Sequence, residues 1–380
     1  MIRLMTIYLL MLNPISLLGF SSSDSLIMEG ARAFYNYDFD RSIKILNLAR
    51  NQYPTHPGVH FIWASAKYYI SQARDETIVT YDTLTNSLDH IDTIYKKLVE
   101  DYPNNQGYKL YFGSSKGLRA RSSLGKKEWI SLLMQSYTGF KIIREVAIKN
   151  PEMIDAQLPI GIVEYYASIS NPIIKFLVNI YGLDASKDSA LEKISNAAKY
   201  SDWAWIEASG VIAFIYLWIE NEPGKAILFT DRLHLEFPNN YYYRIIHTES
   251  LIKNFRLDEA WIQIELLERN FKNLTPKQKQ WYGPYLDYEK SLILFYEKKY
   301  NKSFQLVEKA IHNYTGELDM VLANLFLLKG KILDIWNRHK EAKDSYKECI
   351  DLANFSNAII ESKKYLISPF MLTDNEKQNQ

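Results

Sequence analysis

Three short motifs in this sequence spell out recognisable chemistry, and each takes its meaning from context. Gly113-Ser114-Ser115-Lys116-Gly117 has the Gly-x-Ser-x-Gly lettering of a hydrolase, with Ser115 as the nucleophile. That chemistry needs the serine on a strained turn between a strand and a helix, beside an oxyanion hole. The flanks, Tyr108 to Phe112 and Leu118 to Arg121, instead continue a helical pattern. Gly113 and Gly117 lie one helical turn apart, which suits close helix packing. Ser123-Leu124-Gly125-Lys126 spells Ser-x-x-Lys but falls in a polar stretch between helices. His56 and His60 have the spacing of two metal ligands on a helix, but Pro57-Gly58 turns the chain between them and no third ligand is evident. His56 therefore reads as a solvated loop residue, and His60 as the opening of the next helix. No zinc spacing, Walker glycines or dinucleotide fingerprint occurs, so no catalytic residue, metal or cofactor is assigned.

What remains is aromatic, with 28 Tyr and 8 Trp. Most recur at helix-crossing spacing and belong to a core. Tyr241-Tyr242-Tyr243 and Trp203-x-Trp205 place neighbours on different faces of a helix, so at least one of each group should face solvent or a groove. Tyr and Trp suit binding because they combine rigid apolar area with a polar tip. Glu164, Tyr165, Tyr166, Trp203, Trp205 and Tyr242 are the groove candidates.

The elements that position these residues are repeated helix pairs. Gly30, Ala33, Tyr37, Phe39, Ser42, Leu46, Ala49 and Pro54 fall at the spacings of a tetratricopeptide unit of about 34 residues. Small residues let two antiparallel helices approach, large apolar ones fill the space beyond, and Pro stops the second helix. The pattern returns at Phe214 to Pro238, Leu251 to Leu267, Leu294 to Ala310 and Gly330 to Cys349. Looser pairs join Val59–Ala73 to Leu84–Tyr102 and Gly107–Arg121 to Glu128–Asn150, with Pro103 and Pro151 as stops. The fold expected is an all-α, tetratricopeptide-like α-solenoid, a right-handed superhelix of antiparallel helix pairs. One departure stands out: Asn171 and Pro172 open, and Gly182 closes, a short extra helix over 172–181, inserted between the helices of one repeat.

Bulk properties agree. Pro and Gly number only 12 and 15, which favours long helices over tight-turned strands. The formal charge of +1 gives no footprint of a general nucleic-acid binder. Cys349 sits where a helix wants a small apolar residue, so a buried, inert thiol is expected. Arg3, the apolar run Leu4 to Phe20 and the small polar Ser21-Ser22-Ser23 read as a signal peptide over 1–23, which makes the chain exported, to the periplasm or cell envelope. The array is expected over 24–366 and a polar, frayed tail over 367–380.

The stretch Asp155 to Leu217 carries a resemblance. It reads Asp155-Ala-Gln-Leu-Pro-Ile-Gly-Ile-Val-Glu-Tyr-Tyr-Ala-Ser168, then Pro172, Gly182, Ser189-Ala190-Leu191, Glu207-Ala208 and Ile215-Tyr216-Leu217. It resembles a family of bacterial exported tetratricopeptide proteins, distantly similar to the eukaryotic ones grouped with the yeast inclusion-body-clearance protein. The resemblance implies a helical superhelix without catalysis and carries over no site residue. A chaperone-binding subclass grips carboxylates with Lys and Asn on a first helix, and Ile27 and Ala31 hold those positions here. The expectation is a non-catalytic scaffold holding a protein or peptide on the concave face built by first helices. The alternative is a small-molecule or glycan carrier with a pocket at the inserted helix, beside Tyr165 and Tyr166.

Overall fold

The computed structural model describes residues 21–121, 123, 128–170, 186–316 and 318–372. The apolar leader up to residue 20, most of the Ser-x-x-Lys stretch, the inserted helix and residues 373–380 lie outside them. Seventeen α-helices form among the described residues, and they pack as successive antiparallel pairs. In chain order the pairs are α1 (Ser22–Tyr35) with α2 (Phe39–Gln52), α3 (Val59–Arg74) with α4 (Thr77–Asp101), and α5 (Gln106–Leu118) with α6 (Trp129–Lys149). Then come α7 (Gln157–Ile169) with α8 (Lys187–Tyr200), α9 (Trp205–Phe214) with α10 (Pro223–Glu236), and α11 (Tyr241–Lys253) with α12 (Leu257–Phe271). Last are α13 (Pro276–Tyr296) with α14 (Tyr300–His312), α15 (Met320–Ile335) with α16 (His339–Asp351), and a terminal α17 (Asn357–Ile367). This is the expected all-α, tetratricopeptide-like solenoid.

Small residues set the crossing of the paired helices. Ser42 Oγ donates to Gly30 O at 2.8 Å, and Ser303 Oγ donates to Ser291 O at 2.7 Å, each across a 12-residue separation. At the α5–α6 crossing a Cβ on Gly139 would sit 2.5 Å from Gly113 O and 2.7 Å from Gly117 N. Gly113, whose Cβ would meet Ile143 at 2.7 Å, is thus a contact glycine as its spacing suggested, whereas a Cβ on Gly117 would point into open space.

Prolines stop second helices by the expected route. The residues before Pro54, Pro103, Pro151 and Pro238 leave the helical region: Tyr53, Tyr102, Asn150 and Phe237 have φ between −126° and −134°. First helices end differently. In five of them the turn carries a left-handed residue that is not glycine, namely Tyr37, Asn221, Phe255, Lys298 and Asn337, with φ from 53° to 64°, while α3 ends on extended Asp75. The following amide reaches back into the helix, as in Asp38 N to Ala33 O and Lys299 N to Leu294 O, both 2.8 Å.

After Phe214, helix α9 widens into a π-helical turn, Ile215–Ile219, with Glu220 N donating to Ile215 O at 2.9 Å. The most apolar run of the chain is therefore buried core. Among the described residues, no helix is long and apolar enough to cross a membrane.

The array curls until distant turns meet. Arg32 pairs with Glu236 at 2.8 Å, Asn240 Nδ2 donates to Tyr35 O at 2.7 Å, and Lys277 pairs with Glu76 at 3.1 Å. Tyr37 and Tyr282 share a hydroxyl hydrogen bond of 3.0 Å, and Thr275 Oγ1 donates to Ala73 O. The start of the polar tail also departs from expectation. Phe370 packs on Tyr365, its amide donates to Asp334 at 2.8 Å, and Lys331 lies over both rings. An aromatic ring with a nearby cation and a buried carboxylate to bond holds this segment down.

Candidate binding site

First helices face the inside of the curl, and one carboxylate stands among their tyrosines. Glu207, in the first turn of α9, accepts from Tyr69 of α3 at 3.0 Å and from Tyr35 at the end of α1 at 3.3 Å. Both phenols bond the same oxygen, Oε2. Among the described residues nothing bonds Oε1, although Glu207 keeps part of its surface accessible. The Tyr35 and Tyr69 rings meet edge to face at 5.8 Å. Tyr242 and Tyr243, neighbours on α11 with rings 6.1 Å apart, lie close enough to Glu207 to feel its charge. Their hydroxyls make no hydrogen bond among the described residues. Burial raises the Glu207 carboxyl above the usual range, against the two phenols and the nearby Arg121, which favour the ionised form. Burial first, then neighbouring Glu207 and phenols, pushes Tyr35, Tyr69, Tyr242 and Tyr243 well up, so all four are neutral donors and acceptors.

The groove candidates read from the sequence are dispersed. Tyr242 faces the interior. Tyr166 is half-buried beside Phe355, 6.0 Å away. Tyr165 is 0% exposed and donates to Glu220 at 2.7 Å, so its ring cannot wall a pocket. Glu164 is buried and paired with Lys193 at 2.5 Å. Trp205 is buried with Arg232 over its ring at 3.6 Å, while Trp203 packs the other way, on His56. His56 is no solvated loop residue: it bonds Asp24 at 2.7 Å, with its side chain 13% exposed, because α1 and Trp203 close over the turn.

The other chemistry-bearing residues are structural. Ser115 is buried on α5, and its hydroxyl donates to Phe112 O at 2.8 Å and to Asp92 at 3.0 Å. Cys349 is buried, its thiol pushed up to about 11 by burial. Asp231, His234 and His247 have donor atoms within 4.8 Å of one another. The imidazoles, however, stack at 3.6 Å and within 10° of parallel, so their in-plane lone pairs do not converge on one ion.

A second concavity, of about 250 Å³, opens where the π-helical turn meets the last helices, walled by Trp218, Lys253, Tyr288, Tyr296, Lys331 and Glu361. Lys253 Nζ caps Leu217 O at 3.2 Å, within that turn, and pairs with buried Glu249 at 2.8 Å. Trp218 Nε1 donates to the same Glu249 at 2.6 Å.

Helix pairs closed by small-residue crossings, with an interior lined by first helices, define a tetratricopeptide-like helical-repeat protein. No protein-family model matches the chain, and no curated protein matches it in sequence. Among solved structures it is similar to yeast Tom70, at 11% identity over 93% of this chain and 91% of that one, with a TM-score of 0.39. It is also similar to a tetratricopeptide repeat protein from Parabacteroides merdae ATCC 43184, at 11% identity over 81% and 98%, with a TM-score of 0.33.

Proposed function

We propose that the protein is a non-catalytic scaffold that holds a protein or peptide partner inside the curl. The observation that carries this is the set of uncommitted polar tips on first helices: Glu207 Oε1 and the Tyr242 and Tyr243 hydroxyls. None of these atoms is among the buried ones left without a partner, so each is open to water, which a ligand can replace. The apolar leader read over 1–23 supports placing the scaffold in the periplasm or cell envelope. Crosslinking from a photoreactive residue placed at Tyr242, in cells that make the protein natively, tests the reading. One reproducible protein adduct, lost when the probe moves to the outer face of α12, is expected; adducts no more specific than that control refute it.

A small-molecule carrier is the second reading, favoured by the 250 Å³ concavity with its aromatic walls and paired lysines. The pocket expected at the inserted helix lies outside the described residues, and Tyr165, fully buried, is not part of its lining.

A further inference from the structure

We infer that the interior of the curl recognises a primary ammonium group, presented by a lysine side chain of the partner. The inference rests on the scaffold reading above and gives it a chemistry. Glu207 supplies the charge. Its Oε2 is saturated by Tyr35 and Tyr69, which also fixes the plane of the carboxylate and leaves the lone pairs of Oε1 open. Tyr242 and Tyr243 add two hydroxyls without partners among the described residues, and a neutral phenol oxygen accepts an N–H readily. The open Oε1 accepts one N–H of an ammonium ion, and a phenol oxygen of the tyrosines around it accepts another. A guanidinium fork prefers both oxygens of one carboxylate, and one of these is taken. The tyrosine rings supply faces that attract a cation. Arg121 lies close enough to favour the ionised carboxylate but forms no hydrogen bond with it, so a ligand cation meets some opposing charge there.

The test uses the full chain and n-butylammonium chloride as a mimic of the lysine side chain. Saturation-transfer NMR at constant ionic strength reads its binding beside 1-pentanol, n-propylguanidinium and tetramethylammonium. Butylammonium is expected to bind at least tenfold more tightly than pentanol and more tightly than both other cations. Glu207→Gln should weaken it at least tenfold. Tyr242→Phe, which keeps the ring and removes one acceptor, should weaken it by a few-fold with an unchanged circular dichroism spectrum. The idea is overturned if butylammonium binds no better than pentanol, if it binds as well to Glu207→Gln, or if tetramethylammonium, which has no N–H, binds best. A partner crosslinked at Tyr242 that still binds Glu207→Gln in full also sinks the ammonium site, yet leaves the scaffold standing. Butylammonium binding with no partner adduct does the reverse.

Discussion

Glu289 offers the sharpest test of how this interior is held. It lies on α13 with 0% exposure, and neither carboxyl oxygen has a hydrogen-bond partner among the described residues. Burial, followed by the nearby Glu249 charge, drives its pKa well above 4.5, while Lys253 opposes the rise. The native carboxyl is therefore protonated at pH values where the unfolded one is ionised. A raised acid favours folding fully only below the unfolded pKa, and that contribution is lost as pH climbs toward the native value. The loss runs at about 1.4 kcal/mol per pH unit wherever the unfolded carboxyl is ionised and the native one still protonated. Glu289→Gln keeps the shape and cannot ionise. Urea unfolding followed by tryptophan fluorescence should find the variant near wild type at pH 4.5 and increasingly more stable toward pH 7. A stability difference that stays flat across that range would mean that native Glu289 is ionised, and the account of α13 would fail.

Four other outcomes follow from the geometry. His247 is buried and its pKa pushed down to about 3, by burial and then by His234, Arg256 and Arg244. Its unfolded form takes a proton first, so stability should fall as pH drops from about 6.5 toward 3; His247→Gln should flatten that part of an acid titration. Gly139→Ala would put a methyl 2.5 Å from Gly113 O and should lower stability by roughly 1–3 kcal/mol, seen as an earlier urea midpoint. Lys298→Gly relieves a side chain at φ 61° and should raise the unfolding free energy by about 0.5–1 kcal/mol, seen as a later urea midpoint. Removing the Lys277–Glu76 pair with Glu76→Ala should enlarge the radius of gyration in solution scattering while leaving the unfolding free energy within about 0.5 kcal/mol.

The helix pairs were legible in the sequence because their signals are local. Pro54, Pro103, Pro151 and Pro238 each act on the residue just before them. The turns closing first helices were less legible, since Tyr37, Phe255 and Lys298 adopt a left-handed conformation with no glycine to announce it. The π-helical turn left no mark in an unbroken apolar run. The candidate site was hardest to see, because Tyr35, Tyr69, Glu207 and Tyr242 are brought together only by the curl, and a small rotation per repeat sums to that curl over the whole array. The one available hint was Glu207 itself, a carboxylate at the edge of the most apolar segment.

The two kinds of contact in this molecule differ in character, and that difference bears on function. Within a pair, the crossings bury Leu46, Ile143, Ile194 and Tyr346 completely, and opening one exposes apolar surface worth about 25 cal/mol per Å². Between the start of the array and α9 to α13, the seam joins the Arg32–Glu236 and Lys277–Glu76 pairs and the Tyr37–Tyr282 hydroxyls to bonds from Asn240 to Tyr35 O and from Thr275 to Ala73 O, the two phenols on Glu207, and the Tyr35 ring packed on Phe237. Partly exposed ion pairs of this kind contribute about 0–1 kcal/mol each. The seam thus relies on polar bonds between turns and tyrosines, where a crossing relies on apolar burial. Glu207, carried by α9 and bonded from α1 and α3, lies in that seam and is held by the curl itself.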